Sequence, residues 1–252
     1  MRIFLVRHGE SQFNTNPSIC MELPDHDIGL TDLGMEQSQI IGKFLKDYLK
    51  IKPPGYNPFV EDILNNFNRV LFKEELNTSR LKVKLWHSPY KRTRETAQII
   101  SGMLGDKVLE TKEDVLLCEH QLGLFNGLND YEKKAYFPKE YECYDLQRKN
   151  KGQFWARCPM GESAFDVACR INSFIAKLKI DEENGIIDHI IVGHGTTLKV
   201  MNMIWMNHPY EWFVTPFHLK NCAVRVMQES GVTTIGGVSN SSKVEGWVHD
   251  GF

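Results

Sequence analysis

The chain is poor in the features that would place it in several large classes of protein. Six cysteines in 252 residues, Cys20, Cys118, Cys143, Cys158, Cys169 and Cys222, are scattered without paired metal-type spacing. A chain this long builds its core without disulfides, so six reduced thiols in a cytoplasmic protein are expected, none with an assigned role. No apolar run approaches the roughly 20 residues that cross a bilayer, so no membrane span is expected. The apolar opening, residues 3–6, runs straight into Arg7 and His8 and is too short for the core of a signal peptide. Neither charge dominates, since 30 Lys and Arg oppose 32 Asp and Glu for a net charge of -2, with no block of one sign. An extended nucleic-acid surface is therefore not expected, and attraction for an anion has to come from a local cluster. No two histidines share a helix face beside a carboxylate in the manner of a zinc protease.

What is present begins with Ile3-Phe4-Leu5-Val6-Arg7-His8-Gly9. A short apolar run closed by a glycine turn reads as a strand covered on both faces, which puts Arg7 and His8 at its carboxyl end, where open α/β sheets keep their ligand crevice. Gly9 lets the backbone turn sharply and approach a ligand. Further groups suited to a phosphoryl-transfer pocket follow in order. Ser88-Pro89-Tyr90-Lys91-Arg92-Thr93 brings a second arginine, Leu117-Cys118-Glu119 with Gly123 brings a carboxyl, and Ile190-Ile191-Val192-Gly193-His194-Gly195 repeats the strand-then-His-Gly pattern. Apolar and charged fractions of 42% and 25% are ordinary for one α/β domain spanning residues 1–252.

This set of residues resembles the histidine phosphatase superfamily (phosphoglycerate mutase-like, branch 1), and the likeness runs through nearly the whole chain. It implies a three-layer α/β/α sandwich with a mostly parallel central sheet. It also implies a small phosphorylated substrate, with no metal or cofactor. Arg7, Arg92, His194, Asn14 and Ser11 would meet the phosphate. The two histidines cannot be ordered from the residues alone; by the resemblance, His8 is the one phosphorylated, while His194 supports the transferring group and Glu119 serves as general acid and base. Glu162, in Pro159-Met160-Gly161-Glu162-Ser163, is mostly architectural by the same likeness, and His120 is singled out as a pocket neighbour.

Along the rest of the chain, residues 10–32 form a polar loop over the crevice, and Leu30-Thr31-Asp32-Leu33-Gly34 leads into a helix with Thr31 as candidate N-cap and apolar spacing over 37–49. Residues 51–82, opened by Pro53-Pro54-Gly55, are expected to be an insertion with an amphipathic helix over 59–67; a substrate rim, a homodimer contact and plain surface packing all stay open for it. Strands are expected over 83–86, 107–110 and 186–192, helices over 93–104, 165–178 and 196–206, and a hairpin from 223–227 and 232–235. Residues 126–151 read as a helical lid and 241–252 as a tail.

Phosphate monoesters repel nucleophiles, so a catalyst has to neutralise their oxygens and hold the reacting atoms in line. Arg7 and Arg92 offer planar forks for this, and a neutral imidazole offers a lone pair. The mutase pattern Glu-x-x-x-Gly-x-x-x-Gly-Leu-Asn is met by Glu119, Gly123, Gly127, Leu128 and Asn129. The mutase's neighbouring Arg, Tyr and Lys are replaced by His120, Leu122 and Asp130, and only the unpaired Arg148 and Arg157 offer substitutes for its paired arginines. The missing cations favour a phosphomonoesterase over a phosphoglycerate mutase. A non-catalytic phosphate-binding scaffold is the second alternative.

Overall fold

Strand β1 (Arg2–Arg7) runs through the middle of the molecule, with Ile3, Phe4, Leu5 and Val6 fully buried. The computed structural model describes residues 1–51, 82–228 and 231–236. The helix expected over 59–67, the insertion that contains it and the tail over 241–252 lie outside the described residues. After β1 come α1 (Asp32–Ile51), β2 (Val83–His87), α2 (Lys91–Leu104) and β3 (Val108–Glu113), then α3 (Asp130–Tyr136) and α4 (Pro138–Lys151). The chain continues through α5 (Ala164–Glu183), β4 (Asp188–Gly193), α6 (Gly195–Trp205), β5 (Val224–Gln228) and β6 (Gly231–Gly236).

The six strands lie in the order β3, β2, β4, β1, β5, β6. The first four are mutually parallel, and β5 and β6 close the other edge as an antiparallel hairpin. Side chains alternate across a strand, and β1 divides accordingly. Ile3 and Leu5 join Val167, Ile171 and Phe174 of α5 and Leu198 and Met201 of α6 in one core. Phe4 and Val6 join Ile41 and Leu45 of α1 and Ala97 and Ile100 of α2 in the other. The result is a three-layer α/β/α sandwich.

The expected strands and helices within the described residues are present, with ends shifted by up to five residues. α1 starts at Asp32, directly after the expected cap Thr31, whose hydroxyl accepts the Gly34 amide at 3.1 Å. Ser163 caps α5 in a reciprocal box with Asp166. The edge strand β3 is mostly exposed, so its apolar signal is too weak to mark its real extent, Val108–Glu113. All six cysteines are free thiols. Among the described residues no helix is long and apolar enough to cross a membrane.

Two features of the frame set the site. β1 leads to α1 on one face of the sheet, whereas its neighbour β4 leads to α6 on the opposite face, so the chain diverges between them and leaves a crevice at their carboxyl ends. Gly9 does approach something closely, but it is protein rather than ligand. A Cβ there would stand 2.3 Å from Gly34 O, and one on Gly34 would stand 2.0 Å from Glu10 O, so paired glycines let the turn after β1 rest on the first turn of α1.

Candidate active site

The crevice is a cleft of about 130 Å³ lined by Arg7, His8, Phe13, Asn14, Asp25, Arg92, Glu119, His120, Leu122, Asn126 and Thr196. His8 follows β1 and His194 follows β4, and their rings meet edge to face with centroids 5.3 Å apart. His8 Nδ1 lies 2.7 Å from its neighbour's carbonyl, Gly9 O. A carbonyl only accepts, so the neutral ring carries its proton on Nδ1 and keeps its lone pair on Nε2. Burial, reinforced by Arg92 and Arg7, holds the His8 pKa well below the usual histidine value, so the ring is neutral near pH 7.

His194 is also fully buried and held neutral, first by burial and then by Arg92 and His8. Its Nε2 is 2.9 Å from Ser88 Oγ, and its Nδ1 is buried without a protein partner. A serine hydroxyl can donate or accept, so Ser88 anchors the ring without fixing its tautomer, and Nδ1 is the nitrogen free of protein partners. Both rings take up protons in the unfolded chain below the usual histidine pKa of about 6.5 and resist them when folded, so stability is lost as pH falls below that value, by up to ~1.4 kcal/mol per pH unit for each. Melting temperature should therefore drop between pH 7 and pH 5, and more shallowly in a His8→Asn variant. Equal slopes would show that His8 titrates normally in the folded protein.

The two arginines enter from different elements. Arg7 ends β1, gives one nitrogen to Leu219 O at 2.8 Å and leaves its buried Nε without a partner. Burial lowers its pKa, with Glu119 opposing and Arg92 adding to the effect, so two like charges face one space. Arg92 lies in the first turn of α2 over the Tyr90 ring, 4.9 Å from its centroid. One of its terminal nitrogens donates to both Asp25 O and Asp25 Oδ1 at 2.8 Å. Asn14 accepts through Oδ1 from Ser11 N, Ser11 Oγ and Asn221 Nδ2, all at 3.0 Å, which leaves its amide nitrogen as a donor for the cleft. Ser11 is fully buried and its hydroxyl is spent on Asn14, so it orients Asn14 instead of making the direct phosphate contact expected of it.

Glu119 reaches the cleft across the start of α6. Its Oε1 accepts from His120 N at 2.9 Å and from Thr197 N and Oγ1 at 3.2 Å, and its Oε2 from Thr196 N at 3.3 Å. The helix start used here is thus that of α6, and a carboxylate already occupies it. The loop carrying Glu119 is strapped from behind. Arg170 grips Glu162 through Nε at 3.0 Å and a terminal nitrogen at 3.2 Å, while donating to Leu116 O at 2.6 Å and Glu119 O at 3.3 Å. Glu162 also accepts from Gln121 N at 3.0 Å, the architectural role expected of it.

A family model for the histidine phosphatase superfamily (branch 1) matches residues 70–234, a span holding Arg92, Glu119 and His194. The chain belongs to the histidine phosphatase superfamily. The β1 strand with Arg7 and His8 precedes the matched span, and the parallel pairing of β1 with β4 is what brings it to the same place. Phosphoglycerate mutase-like protein AT74 of Arabidopsis thaliana is 29% identical over 236 residues, which cover 90% of this chain and 64% of AT74. The chain therefore spans just under two thirds of that relative's length. Broad-range acid phosphatase DET1 of Saccharomyces cerevisiae is 28% identical over 286 residues, covering 90% of this chain and 84% of DET1. A mycobacterial glucosyl-3-phosphoglycerate phosphatase, solved with VO3, shares the fold with a TM-score of 0.63 at 18% identity over 98% of both chains.

In this member of the superfamily the cleft joins Arg7, His8, Asn14, Arg92, Glu119 and His120, all singled out in the sequence, and His194 stands against His8. Four supporting groups were given no role by the sequence. Asp25 holds Arg92, Arg170 holds the Glu119 loop, Ser88 holds His194, and Asn221 bridges His8 O at 3.1 Å to Asn14 Oδ1 at 3.0 Å. Each acts on a partner far along the chain, which local spacing does not reveal.

Proposed function

We propose that this histidine phosphatase hydrolyses phosphomonoesters through a phosphohistidine on His8 Nε2, with no metal ion required. The observation that supports this most strongly is the His8 ring. Its tautomer is set by Gly9 O, its charge is suppressed by burial, Arg7 and Arg92 line the same cleft, and the His194 ring stands edge to face with centroids 5.3 Å apart.

In the first step Nε2 attacks phosphorus, a P–Nε2 bond forms as the ester P–O bond breaks, and the departing alkoxide takes a proton from Glu119. In the second, water attacks the phosphoryl group, gives its proton to Glu119, and the P–Nε2 bond breaks to release phosphate and free His8. Arg7, Arg92, Asn14 and His194 hold the oxygens as charge shifts among them. Glu119→Gln is expected to slow hydrolysis by ~10²–10⁴-fold for alkyl phosphates, whose alkoxides need a proton, and far less for para-nitrophenyl phosphate. Equal losses on both substrates would remove Glu119 as the acid. Activity in excess chelator should match untreated enzyme.

The alternative, a mutase, needs further cations to keep a bisphosphorylated intermediate. The two substitutes are engaged elsewhere, Arg148 with Asp145 at 2.7 Å and Arg157 with Asp166, and neither lines the cleft. Hydrolysis that outpaces transfer between hydroxyls of a phosphoglycerate is the expected result.

A further inference from the structure

The residues around the phosphate cradle have a charge pattern of their own. Arg7 and Arg92 are the arginines among those lining the cleft, and both face the cradle. Beyond them the wall consists of Phe13 and Leu122, the Asp25 carboxylate, His120 and Asn126. Asn126 gives its amide nitrogen to Cys20 Sγ at 3.5 Å, which leaves its oxygen as an acceptor. His120 spends Nε2 on Glu162 O at 2.9 Å. Asp25 enters the cleft from the loop between β1 and α1 and accepts from one terminal nitrogen of Arg92 at 2.8 Å.

We infer that this cleft selects phosphate monoesters of neutral, hydroxyl-bearing alcohols, and that Asp25 is the residue that rejects a second anionic group. The inference deepens the hydrolase reading proposed above and rests on it. A carboxylate or second phosphate beyond the cradle meets the Asp25 oxygens, which carry like charge inside a partly desolvated cleft, and finds no additional arginine or lysine among the lining residues. A hydroxyl in that place donates to Asp25 or to the Asn126 oxygen, while Phe13 and Leu122 cover the carbon chain. Asp25 has a second effect on Arg92. By holding one nitrogen from both its backbone and its side chain, it fixes the guanidinium plane and leaves the remaining nitrogens for one phosphoryl group rather than two.

The test compares glycerol 3-phosphate with 3-phosphoglycerate, which share a three-carbon chain and differ by a hydroxymethyl against a carboxylate. The wild-type protein should prefer glycerol 3-phosphate in kcat/KM by ~10-fold or more, the size of one well-placed like-charge contact. Asp25→Asn should cut that ratio several-fold, even as both rates fall through loss of the Arg92 anchor. Leu122→Lys, which adds a cation to the same wall, should cut it independently. If Asp25 only anchors Arg92, the two substrates lose equally in Asp25→Asn and the ratio stays at its wild-type value, which overturns the inference. A wild-type ratio near one, or one favouring 3-phosphoglycerate, also overturns it. Para-nitrophenyl phosphate separates the two levels. Its turnover with an unselective ratio defeats the specificity alone, whereas no turnover of any of the three defeats the hydrolase reading with it.

Discussion

Replacing His8 by alanine is expected to lower hydrolysis of para-nitrophenyl phosphate by ~10⁴-fold or more, because removal of a nucleophile that works as one unit with its supports abolishes nearly all of their joint effect. Para-nitrophenolate leaves without protonation, so the loss cannot be assigned to the acid step. His194→Ala should cost less, on the order of 10²–10³-fold, the usual consequence of deleting one donor to a charged transition state. The order of the two losses distinguishes the rings. Gly9 O fixes the lone pair of His8 on Nε2, whereas His194 is engaged at Nε2 by Ser88 and has only the Nδ1 side available. A His194→Ala protein less active than His8→Ala would reverse the roles assigned here.

The second large effect is expected at Arg92. This side chain is only 4% exposed, so its charge acts through a medium far less polar than water. Arg92→Ala should reduce kcat/KM by ~10³-fold, within the range seen when one arginine is withdrawn from phosphoryl transfer. Arg92→Lys should recover little of this. An ammonium is a point charge on a flexible stem and cannot hold Asp25 and a phosphoryl oxygen together in one plane. Vanadate inhibition should weaken in parallel, since the same fork grips the mimic. A loss below ~10-fold for Arg92→Ala would show that Arg7 alone carries the neutralisation, contrary to the geometry of the cleft.

Much of this was legible in the sequence because the chemistry sits where secondary structure changes. Arg7-His8 and His194 close buried apolar runs, and Arg92 follows a strand and opens a helix, so short-range periodicity was enough to place them. The Pro159–Ser163 turn is legible as a helix start, with Ser163 capping α5, while its supporting role is what the family resemblance implies. Asp25 was not, because its loop has no period and its partner is 67 residues away in the chain. Arg170 looked like one polar position among many on α5, although it reaches back 54 residues to Leu116. Ser11 shows the converse error. Its place beside the Arg-His-Gly turn suggested a phosphate donor, but a hydroxyl so close to Asn14 is drawn into a local cap instead. The sequence marks Gly9 as a close-approach position, and what approaches it is Gly34 at the start of the next helix rather than a ligand.

The most direct measurement is rapid acid-free quenching of the enzyme during turnover, followed by mapping of any covalent phosphoryl group. An acid-labile phosphoryl group on Nε2 of His8, formed and lost at rates compatible with turnover, is the expected result. Turnover with no such adduct, or with the adduct on His194, would contradict the mechanism at its centre.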